Sequence, residues 1–179
     1  MKTKALERYL NSFGKQVVNR AKGNLQKAKG GKTNLEKSLS FKVVTSQDGF
    51  SVEFYMESYG TFVDKGVSGT DVRRSFKDYK GKTISSPYKY TNKQPSSRVL
   101  DKWIVKKGIA PRDKSGKFKN RKGLNFAIAK SIYEKGIKPT LFFTRPFERY
   151  FRRLPNDLVQ KYGLDIERLF DQITAANLK

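Results

Sequence analysis

Two short runs of strict alternation constrain the folding of this chain more than any other feature. Leu39, Phe41 and Val43 alternate with Ser38, Ser40 and Lys42. After Thr45-Ser46-Gln47-Asp48-Gly49, Phe50, Val52, Phe54 and Met56 alternate with Ser51, Glu53, Tyr55 and Glu57. A period of two sends successive side chains to opposite faces of a strand, and Asp-Gly favours the positive backbone angles of a tight hairpin turn. The pattern therefore predicts an antiparallel hairpin with one apolar face, which needs a cover. The preceding residues supply one: Leu6, Leu10, Phe13, Val17, Ala21 and Leu25 recur every three or four positions, the stripe of an amphipathic helix that Gly30-Gly31 ends as a left-handed cap.

Shorter signals follow. Tyr59, Phe62 and Val63 fall at i, i+3 and i+4, a helical turn closed by Gly66. Residues 67–94 read as loop, with Gly, Ser and Pro among Lys and Arg; irregular stretches of that length are usually functional or flexible. Ser97 is placed to cap a helix over 98–107 with a face of Leu100, Trp103 and Ile104 and a stop at Gly108. After a basic loop at 109–123, Leu124, Ala127, Ile128, Ser131 and Ile132 mark a helix to Lys135 with Gly136 as its stop.

Leu141-Phe142-Phe143 is a candidate short strand, and Arg145-Pro146 opens a helical turn carrying Phe147, Tyr150, Phe151 and Leu154. A last helix has Asp165 near its start and Ile166, Leu169, Phe170 and Ile173 inward. No internal repeat is expected. The predicted class is α+β: a small antiparallel sheet, hairpin plus short closing strand, covered by helices. It forms a single domain over 1–179, with a long basic insertion at 67–123 and a C-terminal helical extension at 156–179.

Composition narrows the chemistry. The 179 residues hold no Cys and no His, which removes disulfides, thiolate zinc sites, the usual general base and the Ser-His-Asp hydrolases. Gly31-Lys32-Thr33 and Gly81-Lys82-Thr83 resemble the end of a phosphate-binding loop, but Gln26 and Phe76 stand where its first Gly belongs. Glu53 is followed by Phe54-Tyr55, so the Lys of a metal nuclease's Glu-x-Lys is missing, and Asp113-Lys114-Ser115-Gly116 lacks the oxygen ladder of a calcium loop. A Ser-Lys dyad stays open only because both residues are abundant. The expectation is a non-enzyme, with no catalytic, metal-binding or cofactor-binding residue and no cofactor. No stretch is apolar enough for a membrane span. Met1 to Arg8 lacks the apolar run of a signal peptide, so synthesis in a cytoplasm is expected.

Charge is the remaining signal. There are 39 Lys+Arg against 16 Asp+Glu, a formal +23, which attracts polyanions or simply keeps the chain soluble. It is uneven: residues 71–123 hold 17 basic and 4 acidic residues, whereas 41–70 hold 2 and 4. Within 71–123, Arg73, Arg74, Lys77 and Lys80 interleave with Phe76 and Tyr79, and Lys82, Lys89 and Lys93 with Tyr88 and Tyr90. Basic residues beside aromatic rings suit a groove for single-stranded nucleic acid. No zinc-finger, RNP or helix-turn-helix spacing accompanies them, so base reading is not implied. Docking on an acidic protein face or lining a charged channel are the alternatives.

Three motifs in order carry a family resemblance. They are Leu35-Glu36-Lys37-Ser38-Leu39 at the first strand, Tyr59-Gly60-Thr61-Phe62-Val63-Asp64-Lys65-Gly66 after the second, and Gly136-Ile137-Lys138-Pro139-Thr140-Leu141-Phe142-Phe143 running on through Arg145-Pro146-Phe147. Over residues 4–66 and 124–155 the chain resembles the tail-completion proteins of tailed bacteriophages, the head–tail joining or minor tail proteins. Those proteins have a helix, a hairpin, a Tyr-x-x-Phe/Val-Glu/Asp-x-Gly corner, a second helix and a Pro-Phe closing strand. The resemblance implies a structural virion protein in an oligomeric ring at the neck. Its partners would be copies of itself, portal or adaptor proteins and tail proteins, with packaged double-stranded DNA nearby and no membrane. It would assemble in the host cytoplasm and end in the virion at the head–tail junction.

Tyr59, Phe62, Val63, Asp64, Gly66, Gly136, Pro139, Phe142, Pro146 and Phe147 would be its structural residues. Arg73, Arg74, Lys77 and Lys80 are the candidate inter-subunit or DNA-facing contacts. The segment 67–123 and the tail after 155 depart from the compact family form. The alternative function is non-specific nucleic-acid binding through 71–123.

Overall fold

The computed structural model describes residues 2–46, 49–154 and 156. In chain order the elements are α1 (Lys2–Lys29), α2 (Asn34–Ser38), β1 (Ser40–Ser46), β2 (Gly49–Tyr55), α3 (Gly60–Lys65), β3 (Ser75–Lys77), β4 (Thr83–Ser85), α4 (Ser97–Lys106), α5 (Arg121–Lys135) and α6 (Thr144–Phe151). The class is α+β, with two separate two-stranded antiparallel sheets, β1–β2 and β3–β4. The chain divides into two compact units, 1–56 with 142–179 and 57–141; the composition-defined insertion 67–123 lies inside the second. The expected helix at 165–173 and the Asp48 of the hairpin turn lie outside the described residues.

In the first unit, α1 buries the predicted stripe: Leu10, Phe13, Val17, Ala21 and Leu25 are all buried, joined by Val18. Gly30, at φ +70°, and Gly31 both donate their N–H to the Gln26 carbonyl (2.9 and 3.1 Å), closing the helix with the left-handed cap expected. The β1–β2 register sets Phe41 opposite Phe54, Val43 opposite Val52 and Thr45 opposite Phe50, so the apolar alternation lands on one face. Phe54 is the hub. Its ring meets Phe13 (6.2 Å), Phe41 (6.4 Å), Phe143 (5.3 Å) and Phe147 (5.8 Å), mostly edge-on as ring quadrupoles favour. Gly14 makes the room, because a Cβ there would lie 2.2 Å from the Phe41 ring.

Two local expectations fail, one in this unit and one where the chain passes from the second unit back into it. Leu35 to Leu39 do not open the strand; residues 34–38 form α2, and Leu39 follows as its cap. Thr33 Oγ1 accepts from Glu36 N–H (3.2 Å), so Thr-x-x-Glu acts as a helix start rather than as part of an alternating run. Leu141-Phe142-Phe143 is not a closing strand either. Leu141 sits at φ +51°, Phe142 and Phe143 form a turn, and α6 begins at Thr144, one residue before Arg145-Pro146. Pro146 falls in the first helical turn, where a missing N–H leaves no intrahelical bond unmade.

The second unit is sewn together by backbone pairing. Val67 and Ile137 exchange N–H···O bonds of 2.9 and 2.8 Å, and Ser68 pairs with the Tyr88–Tyr90 stretch through bonds of 2.8 and 2.9 Å. Thr70 N–H donates to the Tyr133 carbonyl, and Asp71 N–H to the Glu134 carbonyl, at the end of α5. Residues 67–94 are therefore not plain loop: they hold β3–β4 and are hydrogen-bonded on both sides. Three-residue strands are too short to display alternation.

Helices α4 and α5 bury Ile104 and Ala129, with Asn125 between apolar neighbours. Ser96, not Ser97, is the cap residue of α4, and Trp103 is 45% exposed rather than inward. On α5, which starts at Arg121 behind the capping Asn120, Ala127 is exposed, and Gly136 ends the helix as expected.

Candidate interaction surface

The four basic candidates cluster on the β3–β4 hairpin. Arg73 is exposed just before β3, Lys77 is exposed opposite Thr83 at the end of β3, and Lys80 is exposed in the turn. The Lys80 Nζ stands 5.6 Å from the centre of the Tyr79 ring. Arg74 is less open than the other three. It is half-buried, its N–H donates to Ser68 Oγ (3.0 Å), and its Nε is buried without a partner in the described structure. Arg74 anchors the base of the hairpin, while Arg73, Lys77 and Lys80 are presented.

The tip is held by one carboxylate. Asp78 Oδ1 accepts from Lys80 N–H (2.9 Å) and Lys82 N–H (2.8 Å). Asp78 N–H donates to the Lys82 carbonyl (3.0 Å) and Gly81 N–H to the Asp78 carbonyl (3.1 Å), with Gly81 at φ +81°. A second turn repeats this arrangement bond for bond. Asp113 Oδ1 accepts from Ser115 N–H (2.9 Å) and Lys117 N–H (2.9 Å). Asp113 N–H donates to the Lys117 carbonyl (2.9 Å) and Gly116 N–H to the Asp113 carbonyl (3.0 Å), with Gly116 at φ +84°.

Asp78-Tyr79-Lys80-Gly81-Lys82 and Asp113-Lys114-Ser115-Gly116-Lys117 are thus one five-residue device used twice. In each copy a basic residue precedes the Asp, so each tip carries three cations around one internally committed acid. The Ser115 hydroxyl, followed by the Lys117 and Ser115 amides, holds the Asp113 carboxyl below its ordinary range. Arg112 lies 4.0 Å from the centre of the Phe118 ring, stacking the base of the second turn.

The remaining motif residues divide between the units. In the second unit, the corner after β2 and the segment after α5 interlock. The Val63 carbonyl accepts from Thr140 N–H (3.2 Å) and Thr140 Oγ1 (2.7 Å), and the Asp64 carbonyl from Leu141 N–H (2.9 Å). Gly66 and Gly136 flank the Val67–Ile137 pairing, at φ 72°, ψ 179° and φ 69°, ψ −171°. A Cβ on Gly66 would lie 2.6 Å from the Ile137 carbonyl oxygen and 2.7 Å from Pro139 N. Asp64 is buried, whereas Tyr59 and Phe62 are exposed, Phe62 packing edge-on against Tyr88 at 4.5 Å. Phe142, Pro146 and Phe147 belong to the first unit, where Phe142 is fully buried.

Among the described residues no group of three or more His, Cys, Asp or Glu gathers to hold a metal, and no helix is long and apolar enough to cross a membrane. Glu53 accepts a hydrogen bond from the Tyr55 hydroxyl and faces Lys42 across the hairpin. No protein-family model, curated protein or solved structure matches the chain.

Proposed function

We propose that this chain is a structural, non-enzymatic protein of a tailed-phage virion, part of a ring at the head–tail junction that joins portal-side proteins to the tail. The observation that carries the reading is the interlocked corner. The Tyr59–Gly66 motif and the one that begins at Gly136, two of the three that carry the resemblance, meet at Thr140 and Leu141 through backbone bonds between residues 77 positions apart. A corner held that way is a rigid platform, and the hairpins of the same unit are projections suited to neighbouring copies. Co-expression with the portal, adaptor and tail proteins of a phage encoding this chain tests the idea. Electron microscopy should find the chain in ring-bearing particles. A chain that never enters particles in that mixture would sink the proposal.

A second reading, non-specific binding of nucleic acid, is favoured by the twin basic tips. Lysines around a braced turn offer charge to phosphates without reading bases. On duplex DNA, log K should fall linearly with log salt concentration. Replacing Lys77, Lys80, Lys114 and Lys117 by Gln should flatten that slope by roughly 3 to 4 units, about one per lost phosphate contact. An unchanged slope would remove the tips as the contact.

A further inference from the structure

Helices α4 and α5 and the segment joining them enclose an open cleft of about 1050 Å³. Its walls are basic: Arg98 and Lys102 come from α4, Lys119 from the segment just before α5, and Lys122 from the first turn of α5. The acid among the lining residues, Asp101, is already committed, 3.2 Å from Arg121 Nε and 3.2 Å from Asn125 Nδ2. The first turn of α5 adds its own partial positive charge to this end of the cleft.

Two further features separate the cleft from a merely charged surface. Asn125 lines it, is 6% exposed, and has an Oδ1 with no hydrogen-bond partner. Its amide orientation follows from the bond to Asp101: the reverse placement would set two acceptors together. The free atom is therefore an acceptor closed off from solvent in this structure; leaving it unmet is unfavourable, and a donor reaches it from the cleft once the side chains over it shift. Phe126 and Phe118 also line the cleft, 54% and 69% exposed; Phe118 already carries the Arg112 guanidinium over one face, so Phe126 is the ring better placed to meet a base.

We propose that this cleft binds a nucleotide. An anionic group answers the four cations, a flat base answers the phenylalanine rings, and an amino or hydroxyl group answers Asn125 Oδ1. Inorganic phosphate supplies the charge alone. The cleft borders the second turn through Phe118 but is not lined by the tip lysines Lys114 and Lys117; in its strand form the assignment rests on the nucleic-acid reading, and in its free-nucleotide form it goes beyond both readings. The nucleotide can be free or one unit of a single strand, and the experiment separates the two.

The full chain would be titrated in calorimetry with ATP, with a ten-residue oligodeoxyadenylate and with tripolyphosphate, all at one salt concentration. Either ATP or the oligonucleotide should bind at least about tenfold tighter than tripolyphosphate; ATP alone identifies a free nucleotide, and oligonucleotide preference identifies a strand. The double variant Arg98→Glu/Lys102→Glu should lose about tenfold or more. Phe126→Ala, at an exposed position that folding does not depend on, should weaken the nucleotide probe while leaving tripolyphosphate unchanged. Asn125→Leu should narrow the preference for nucleotide over tripolyphosphate. Tripolyphosphate binding as tightly as the nucleotide probes, no binding by any probe, or indifference to the charge reversal would each overturn the proposal.

Discussion

Gly136→Ala should destabilise the second unit by about 4 kcal/mol or more, a loss large enough to populate its unfolded form under mild conditions. Gly136 occupies φ 69°, ψ −171°, a region essentially closed to side-chain-bearing residues and worth roughly 1–3 kcal/mol of strain when one is forced there. The new Cβ would also lie 2.1 Å from the Val67 carbonyl oxygen and 2.5 Å from Gly69 N. Relieving that overlap means parting Val67 from Ile137 and giving up two backbone bonds, each worth about 1 kcal/mol. Gly108→Ala is the control: its φ is +66°, yet nothing lies within 4 Å of the added carbon. Its cost should be about 1–2 kcal/mol, the backbone penalty alone. Urea unfolding, with hydrogen exchange at the Val67 and Ile137 amides, measures both. Equal losses for the two variants would mean that the close approach at the corner does not matter.

The corner also marks the limit of what local pattern can tell. Gly66 and Gly136 are readable as helix stops, since each follows an apolar stripe. The close approach of each to the opposite segment is not, because it depends on Val67 meeting Ile137 and Pro139 lying against Gly66, contacts between distant segments. The hairpin and α1 are legible for the opposite reason: periods of 2.0 and 3.6 persist there long enough to be unmistakable. Helix α2 interrupts that reading because Ser38 and Leu39 extend the alternation backwards by chance, while Thr33 and Glu36 cap a turn of helix. The Leu141-Phe142-Phe143 run is apolar enough for a strand, but Leu141 takes a left-handed conformation and leads into a turn.

The interaction surface divides the same way. Counting charge locates the basic segment, and counting treats every lysine alike. The pattern Asp-x-x-Gly-Lys, present twice, distinguishes the lysines that a carboxylate braces from those on open coil. Its mechanism, an Asp side chain accepting two amides ahead of a Gly at positive φ, is local and was available in the residues themselves. The cleft of α4 and α5 was not available, because Asn125 sits among apolar positions and only the fold shows that its oxygen is unmet.

Phe142→Ala should cost about 3–5 kcal/mol, through lost burial and an unfilled cavity. Phe142 is fully buried in the first unit, and its carbonyl accepts from Asn24 Nδ2 at 3.5 Å, so the backbone beside it has little freedom to collapse inward. Phe151 offers the comparison. Its ring stacks on Phe147 at 5.4 Å but is 51% exposed, so Phe151→Ala should cost only about 0.5–1.5 kcal/mol, the worth of a ring pair. Circular dichroism during urea unfolding separates the two. The difference follows from burial, since the sequence places both phenylalanines in one aromatic run. If both variants unfolded at the same midpoint, the aromatic cluster would be a pliable surface and not the packed core that positions α6 against α1.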